Sequence, residues 1–138
     1  MAAAGYSGTP LLKKLGIKED MKIWLLDAPS DYFHILESDI SSQLCGNKDI
    51  PDLVHLFVKN HTSFVKGMLS LERLYKKNTA MIIWVSWYKK SAGIATDITE
   101  DTIRNYALQH DLVDVKVCAV NEQWSGLKLV VPLVKRRK

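Results

Sequence analysis

Two nearly unbroken apolar runs constrain this chain more than any other feature. Leu53 to Val58 is interrupted only by His55, and Ala80 to Trp87 only by Ser86. Runs of this length suit strands. A strand that is apolar on both faces must be covered on both. Between the runs, Phe64, Val65, Met68, Leu71, Leu74 and Tyr75 recur at helical spacing, with Thr62 as the expected cap. Strand, helix and strand in this order imply neighbouring parallel strands joined by a right-handed crossover. The expected fold is a three-layer α/β/α, Rossmann-like domain with a mainly parallel sheet.

The flanking sequence extends that plan. Thr9-Pro10 opens a short helix, Leu11, Leu12 and Leu15 give it an apolar side, and Gly16 ends it. Met21 to Leu26 reads as a strand that stops at Asp27-Ala28-Pro29. Ser30 or Asp31 can cap a helix running to about Leu36. One short strand is expected near Ser41 to Cys45. Thr99 caps a helix with Glu100 and Asp101 in its first turn, where negative charge meets the positive helix end. Leu112 to Val120 and Leu127 to Leu133 are the last expected strands. The six residues between them are too few for a helical crossover, so they predict an antiparallel β-hairpin at the C-terminal edge.

A chain of 138 residues has the usual size of one domain, and residues 1–138 read as one. Residues 1–8 are small and uncommitted, and they read as a flexible segment. Two cysteines are too few for a disulfide framework, and Cys118, in an apolar strand, reads as a buried thiol. There is neither a signal-peptide core nor a membrane-length apolar stretch, so a cytoplasmic protein with no membrane partner is expected. The net charge is +4, and Lys135, Arg136, Arg137 and Lys138 supply all of it. The rest of the chain is balanced, so this basic tail reads as a solvated end and nucleic acid is not an expected partner.

In a sheet of this kind, ligands bind outside the carboxyl ends of the strands. That rim would collect Asp27 to Ser30, Lys59 to His61, Trp87 to Lys90 and the hairpin connection near Trp124. Lys89, Lys90, Ser91 and Thr96 leave the strongest strand and enter a helix, so they can hold an anion there. The alternative is a solvated loop whose hydroxyls merely cap the helix. Trp124 can offer a stacking face or cover an end of the core. Asp27, Trp87 and Glu122 are secondary candidates, the two carboxylates as a pair that could meet on the rim. The histidines lack metal-helix spacing, so no metal is expected. Neither a G-x-G-x-x-G nor a G-x-x-x-x-G-K-[ST] loop occurs. No cofactor is expected. A non-enzymatic small-ligand or protein-binding regulatory domain leads the functional readings. An enzyme acting on a small anionic or nucleotide-like substrate is the alternative, and weak nucleic-acid binding through the tail is the third.

Several segments resemble an uncharacterised bacterial family, domain of unknown function number 3052. They are Gly5-Tyr-Ser-Gly-Thr-Pro-Leu-Leu-Lys-Lys-Leu-Gly-Ile-Lys18, Asp52 to Val58, Trp84-Val-Ser-Trp87 with Lys89-Lys90, Thr96-Asp97-Ile-Thr-Glu100, and Val113 to Cys118 running into Trp124-Ser-Gly-Leu-Lys-Leu-Val130. Tyr88 stands where the family pattern has a proline. The resemblance implies no known activity. The order of Asp52-Leu-Val-His-Leu, a helix, Met81 to Val85 and a closing hairpin is also similar to the second half of Rossmann-like methyltransferases. The glycine motif that holds S-adenosylmethionine in those enzymes is absent here, so the likeness implies fold and not that cofactor.

Overall fold

The computed structural model describes residues 10–46 and 48–136. Five strands form one sheet in the order β1-β2-β3-β5-β4. They are β1 (Ile23–Leu26), β2 (Leu53–Phe57), β3 (Ile82–Tyr88), β4 (Val113–Ala119) and β5 (Trp124–Val130). The first three run parallel, and β5 is antiparallel to both β3 and β4. The two apolar runs are thus adjacent parallel strands, and α3 (His61–Lys77) joins them. The hairpin β4–β5 inserts β5 against β3, which sends β4 in the same direction as the parallel strands.

Both faces of the sheet are covered, as its apolar strands require. On one face Phe64, Met68, Leu71 and Leu74 of α3, with Ile103 and Ala107 of α4 (Glu100–Gln109), pack on Leu56, Ile83, Val85 and Leu127. Full burial of each large apolar side chain contributes about 1.5–3 kcal/mol. On the other face α1 (Leu11–Leu15) and α2 (Tyr32–Leu36) cover Leu53, Phe57, Trp84 and Trp124. This is the expected three-layer α/β/α arrangement. Gly126 lets β5 pass close to Trp84: a Cβ there would lie 3.2 Å from the indole and 3.3 Å from Val120, tighter than ordinary van der Waals contact.

Several local expectations are corrected. Asn60, not Thr62, caps α3, through a reciprocal box with Ser63. Pro10 occupies the cap position of α1, while Thr9 and residues 1–8 lie outside the described residues. The stretch Ser41–Gln43 is a tight 3₁₀ turn, because the Asp39 carboxylate accepts the Ser41 amide at 2.9 Å. Leu44 forms a lone parallel bridge to Ile23, and the Cys45 amide donates to the Ile23 carbonyl at 2.9 Å. The last strand begins three residues earlier than expected, at Trp124. Asn121 makes this possible: its side-chain oxygen takes the amides of Gln123 and Trp124, both at 2.9 Å, and tightens the turn.

Lys135 and Arg136 of the tail are held by the fold, while residues 137 and 138 lie outside the described residues. Lys135 pairs with Asp111 at 2.7 Å, and Arg136 Nε donates to the Val131 carbonyl at 2.7 Å. An exposed ion pair contributes about 0–1 kcal/mol, and one charge-assisted hydrogen bond somewhat more. Truncation after Val134 should therefore lower stability by about 1–2 kcal/mol in urea unfolding. An unchanged midpoint would return the tail to a solvated end. No helix among the described residues is long and apolar enough to cross a membrane.

Candidate functional site

The strongest strand ends at Trp87-Tyr88, and its two last rings point to opposite faces. Trp87 joins the α3–α4 core. Tyr88 stacks on Trp124 on the other side, with ring centroids 4.3 Å apart and planes at 25°. The Lys89 amide then donates to the Gln123 carbonyl at 2.9 Å, tying the end of β3 to the hairpin turn. Lys90–Ala92 form one 3₁₀ turn, which Gly93 closes at φ 72°, a backbone state that favours glycine.

The loop returns to the sheet through two hydrogen bonds. Thr96 Oγ1 donates to the Lys59 carbonyl at 2.8 Å, and the Asp97 carboxylate accepts the His61 amide at 2.7 Å. Both fix the loop to the junction of β2 and α3. Thr99 then caps α4 reciprocally with Thr102. The loop thus leaves and re-enters the same rim.

Between its two ends lies a cavity of about 890 Å³. Lys89, Lys90, Ser91, Thr96, Thr99, Glu100 and Asp101 line it. Trp87 and Ser125 supply the sheet side, and Ile94 and Ile98 are apolar lining. Four of the five leading candidates, Lys89, Lys90, Ser91 and Thr96, therefore share one cavity with the secondary candidate Trp87. Trp124 does not join them. It is 4% exposed on the opposite face, edge-on to Phe57 with centroids 4.9 Å apart, and it covers the core. The reason is strand alternation: once the strand begins at Trp124, Ser125 faces the cavity and Trp124 faces away. Ser125 was hidden from the sequence because it seemed to lie in a connection.

Asp27 and Glu122 do not meet. Two strands separate β1 from β5, so the strands that lead to the two carboxylates are roughly 14 Å apart at a spacing near 4.8 Å per strand. Asp27, at φ 57°, lines a second cavity of about 320 Å³ with Lys59, Asn60 and Ser63. Glu122 is exposed in the hairpin turn.

Charge at the main cavity is organised by Arg104. Its guanidinium bonds Asp114 at 3.0 Å, Asp101 at 2.6 Å and Glu100. One positive charge is thus shared among three carboxylates, and the cluster is net negative.

A serine–histidine pair exists elsewhere. His55 bonds Ser86 Oγ at 2.7 Å through Nε2 and the Tyr32 hydroxyl at 2.8 Å through Nδ1. Both His55 and Ser86 are 0% exposed, on the α1–α2 side of the sheet. Burial pushes the His55 pKa down to about 3 and raises that of Tyr32. The chain of hydroxyl, imidazole and hydroxyl is a satisfied core network that no substrate reaches. Cys118 is likewise buried, and burial raises its thiol pKa. Among the described residues no group of three metal-ligating side chains is placed to hold a metal ion.

Fold and rim together define a Rossmann-like α/β domain with a cavity at the carboxyl end of its strands. The chain is similar in structure to a protein of the NADB-Rossmann superfamily from Streptococcus agalactiae. The TM-score is 0.55 at 10% identity, over 89% of this chain and 68% of that one. It is also similar to an uncharacterized protein from Listeria monocytogenes serotype 4b. That match has a TM-score of 0.54 at 11% identity, over 91% of this chain and 68% of that one. At such identities the likeness is one of fold. No family model matches the chain, so the likeness to family 3052 has no such match behind it, and no curated protein matches the chain.

Proposed function

We propose that the chain is a non-enzymatic domain that binds a small anionic molecule in the cavity at the carboxyl end of β3. The observation that carries the reading is the convergence of Lys89, Lys90, Ser91 and Thr96 on one cavity. Its volume is that of a small-molecule site. Its place is where ligands sit in open α/β sheets. The non-enzymatic part rests on the chemistry of the lining. Among the described lining residues there is no histidine or cysteine. The hydrogen-bonded serine–histidine pair is sealed in the other layer. Two lysines and hydroxyls suit recognition of an anion by charge and hydrogen bonding.

A melting-shift screen with nucleotides and phosphorylated metabolites tests the reading. A ligand that binds only the folded chain raises its melting temperature by mass action. Replacing Lys89 and Lys90 with alanine should abolish that shift. The unliganded melting temperature should stay within about 2–3 °C of wild type, as for surface changes. A shift that survives the double substitution would place the ligand elsewhere. No shift with any phosphorylated or nucleotide compound would count against the proposal as a whole.

A further inference from the structure

Outside its tail the chain carries equal numbers of acidic and basic residues, but they are not evenly spread. Helix α3 has four cations, Lys66, Arg73, Lys76 and Lys77, and one carboxylate, Glu72. Glu72 is paired with Lys76 at 3.1 Å. Lys66, Arg73 and Lys77 have no ion-pair partner among the described residues. At 3.6 residues per turn these three fall within roughly 40° of one another around the helix and span about 16 Å of its length. All three are exposed, as is Ser70 between them. Behind the stripe Phe64, Met68, Leu71 and Leu74 are buried, which fixes the helix on the sheet. Lys77 has a local reason for its place, since it meets the negative end of the helix. Lys66 and Arg73 stand in mid-helix, where the dipole does not account for them.

We infer that this stripe of α3 is a docking surface for the sugar–phosphate backbone of double-stranded nucleic acid, bound without regard to base sequence. A protein partner needs an apolar centre to its interface, and α3 exposes one large apolar side chain, Leu69. A helix lying on a membrane inserts its apolar face, and that of α3 is spent on the sheet. A duplex offers about one phosphate for every 1.7 Å of its axis, so a straight row of point charges meets phosphates in any register. The inference stands apart from the anion cavity, which α3 does not line.

Salt dependence tests it. The anisotropy of a labelled random-sequence duplex of about 20 base pairs, titrated with the full chain between 50 and 200 mM NaCl, gives the slope of log affinity against log salt. Lys66→Gln, Arg73→Gln and Lys77→Gln should each flatten that slope by about 0.9, and the triple variant by about 2.7. Arg73→Lys should keep it, since a phosphate contact needs only the charge. The single variants guard against a folding defect in the triple, and circular dichroism spectra and melting curves should match wild type for all. Polyglutamate and phosphatidylserine vesicles should bind at least about tenfold more weakly than the duplex. The inference is overturned if no duplex binds at 50 mM NaCl. A slope that survives the triple variant overturns it too, by placing the duplex on the tail or elsewhere. So does tighter binding of polyglutamate or of vesicles through the same three residues, which would make the stripe a protein or membrane contact.

Discussion

Trp84→Ala should destabilise the fold by about 3–5 kcal/mol, enough to unfold much of a domain whose total stability is of order 5–15 kcal/mol. Trp84 is 0% exposed at the centre of β3. Its ring belongs to the core beneath α1 and α2 and lies under Gly126 of β5. Its indole N–H donates to the Leu15 carbonyl at 2.9 Å, across 69 residues of sequence. That carbonyl belongs to the last turn of α1, where helical partners run out. One side chain thus fills the core and holds the N-terminal helix to the sheet. Trp84→Phe would keep much of the packing and lose the hydrogen bond, so it should cost about 1–3 kcal/mol. Urea unfolding followed by circular dichroism measures both. A cost below about 1 kcal/mol for the alanine variant would mean that α1 does not depend on this residue.

The parts of this fold that were legible in the sequence are those set by long periodic patterns. The two apolar runs and the helical spacing between them have one solution, a parallel pair with a crossover helix, and β2, α3 and β3 form it. The Thr99 cap with its acidic first turn is a local signal, and α4 starts there. What sequence did not disclose depends on single side-chain hydrogen bonds. Asn121 tightening the hairpin moves the start of β5 to Trp124. That small shift decides which face the indole takes, because a strand alternates faces at every residue. The Asp39 turn removes a strand in the same way. The Lys135 and Arg136 contacts join residues that only the finished fold brings close.

The candidate site was legible in outline for a topological reason. Residues that leave a parallel strand and residues that enter the next helix must share a rim, so Lys89 to Ser91 and Thr96 were bound to lie together. Trp124 lies at the expected end of the sheet, since Tyr88 pairs with it, and of its two expected roles it takes that of covering the core. The role of Arg104 was not visible in the sequence. Its partners Glu100 and Asp101 lie one helical turn away, as the i,i+3 and i,i+4 rule allows, but Asp114 reaches it only because β4 packs under α4. His55 is a hydrogen-bonded core residue, and its two partners come from separate elements that no spacing connects.

Those partners make acid the condition under which this fold should weaken most. His55 is wholly buried, and its folded pKa is pushed down from 6.5 to about 3 by loss of hydration. Below about 6.5 the unfolded chain takes up a proton at this ring, and the folded chain does not. The unfolded state therefore binds more protons, and stability falls as the pH drops from about 6.5 towards 3. The contribution is fully present above pH 6.5 and should be reduced by about 2 kcal/mol at pH 5. Asp111 and Asp39 have carboxyl pKa values held low by Lys135 and by the Ser41 amide, so their losses belong to a more acidic window. Urea unfolding at pH 7.5, 6 and 5 measures the slope. His55→Ala tests it poorly, since it leaves the Tyr32 and Ser86 hydroxyls buried without their partner, at about 1–3 kcal/mol each. Replacing the whole network, Tyr32→Phe with His55→Leu and Ser86→Ala, removes every polar group at once and can be nearly neutral at pH 7. That variant should lose about 2 kcal/mol less than wild type between pH 7.5 and pH 5. If the two proteins weaken in parallel over that range, His55 takes up its proton as readily in the folded chain as in the unfolded one, and the imidazole is not sealed from water as its packing between Tyr32, Phe57 and Ser86 requires.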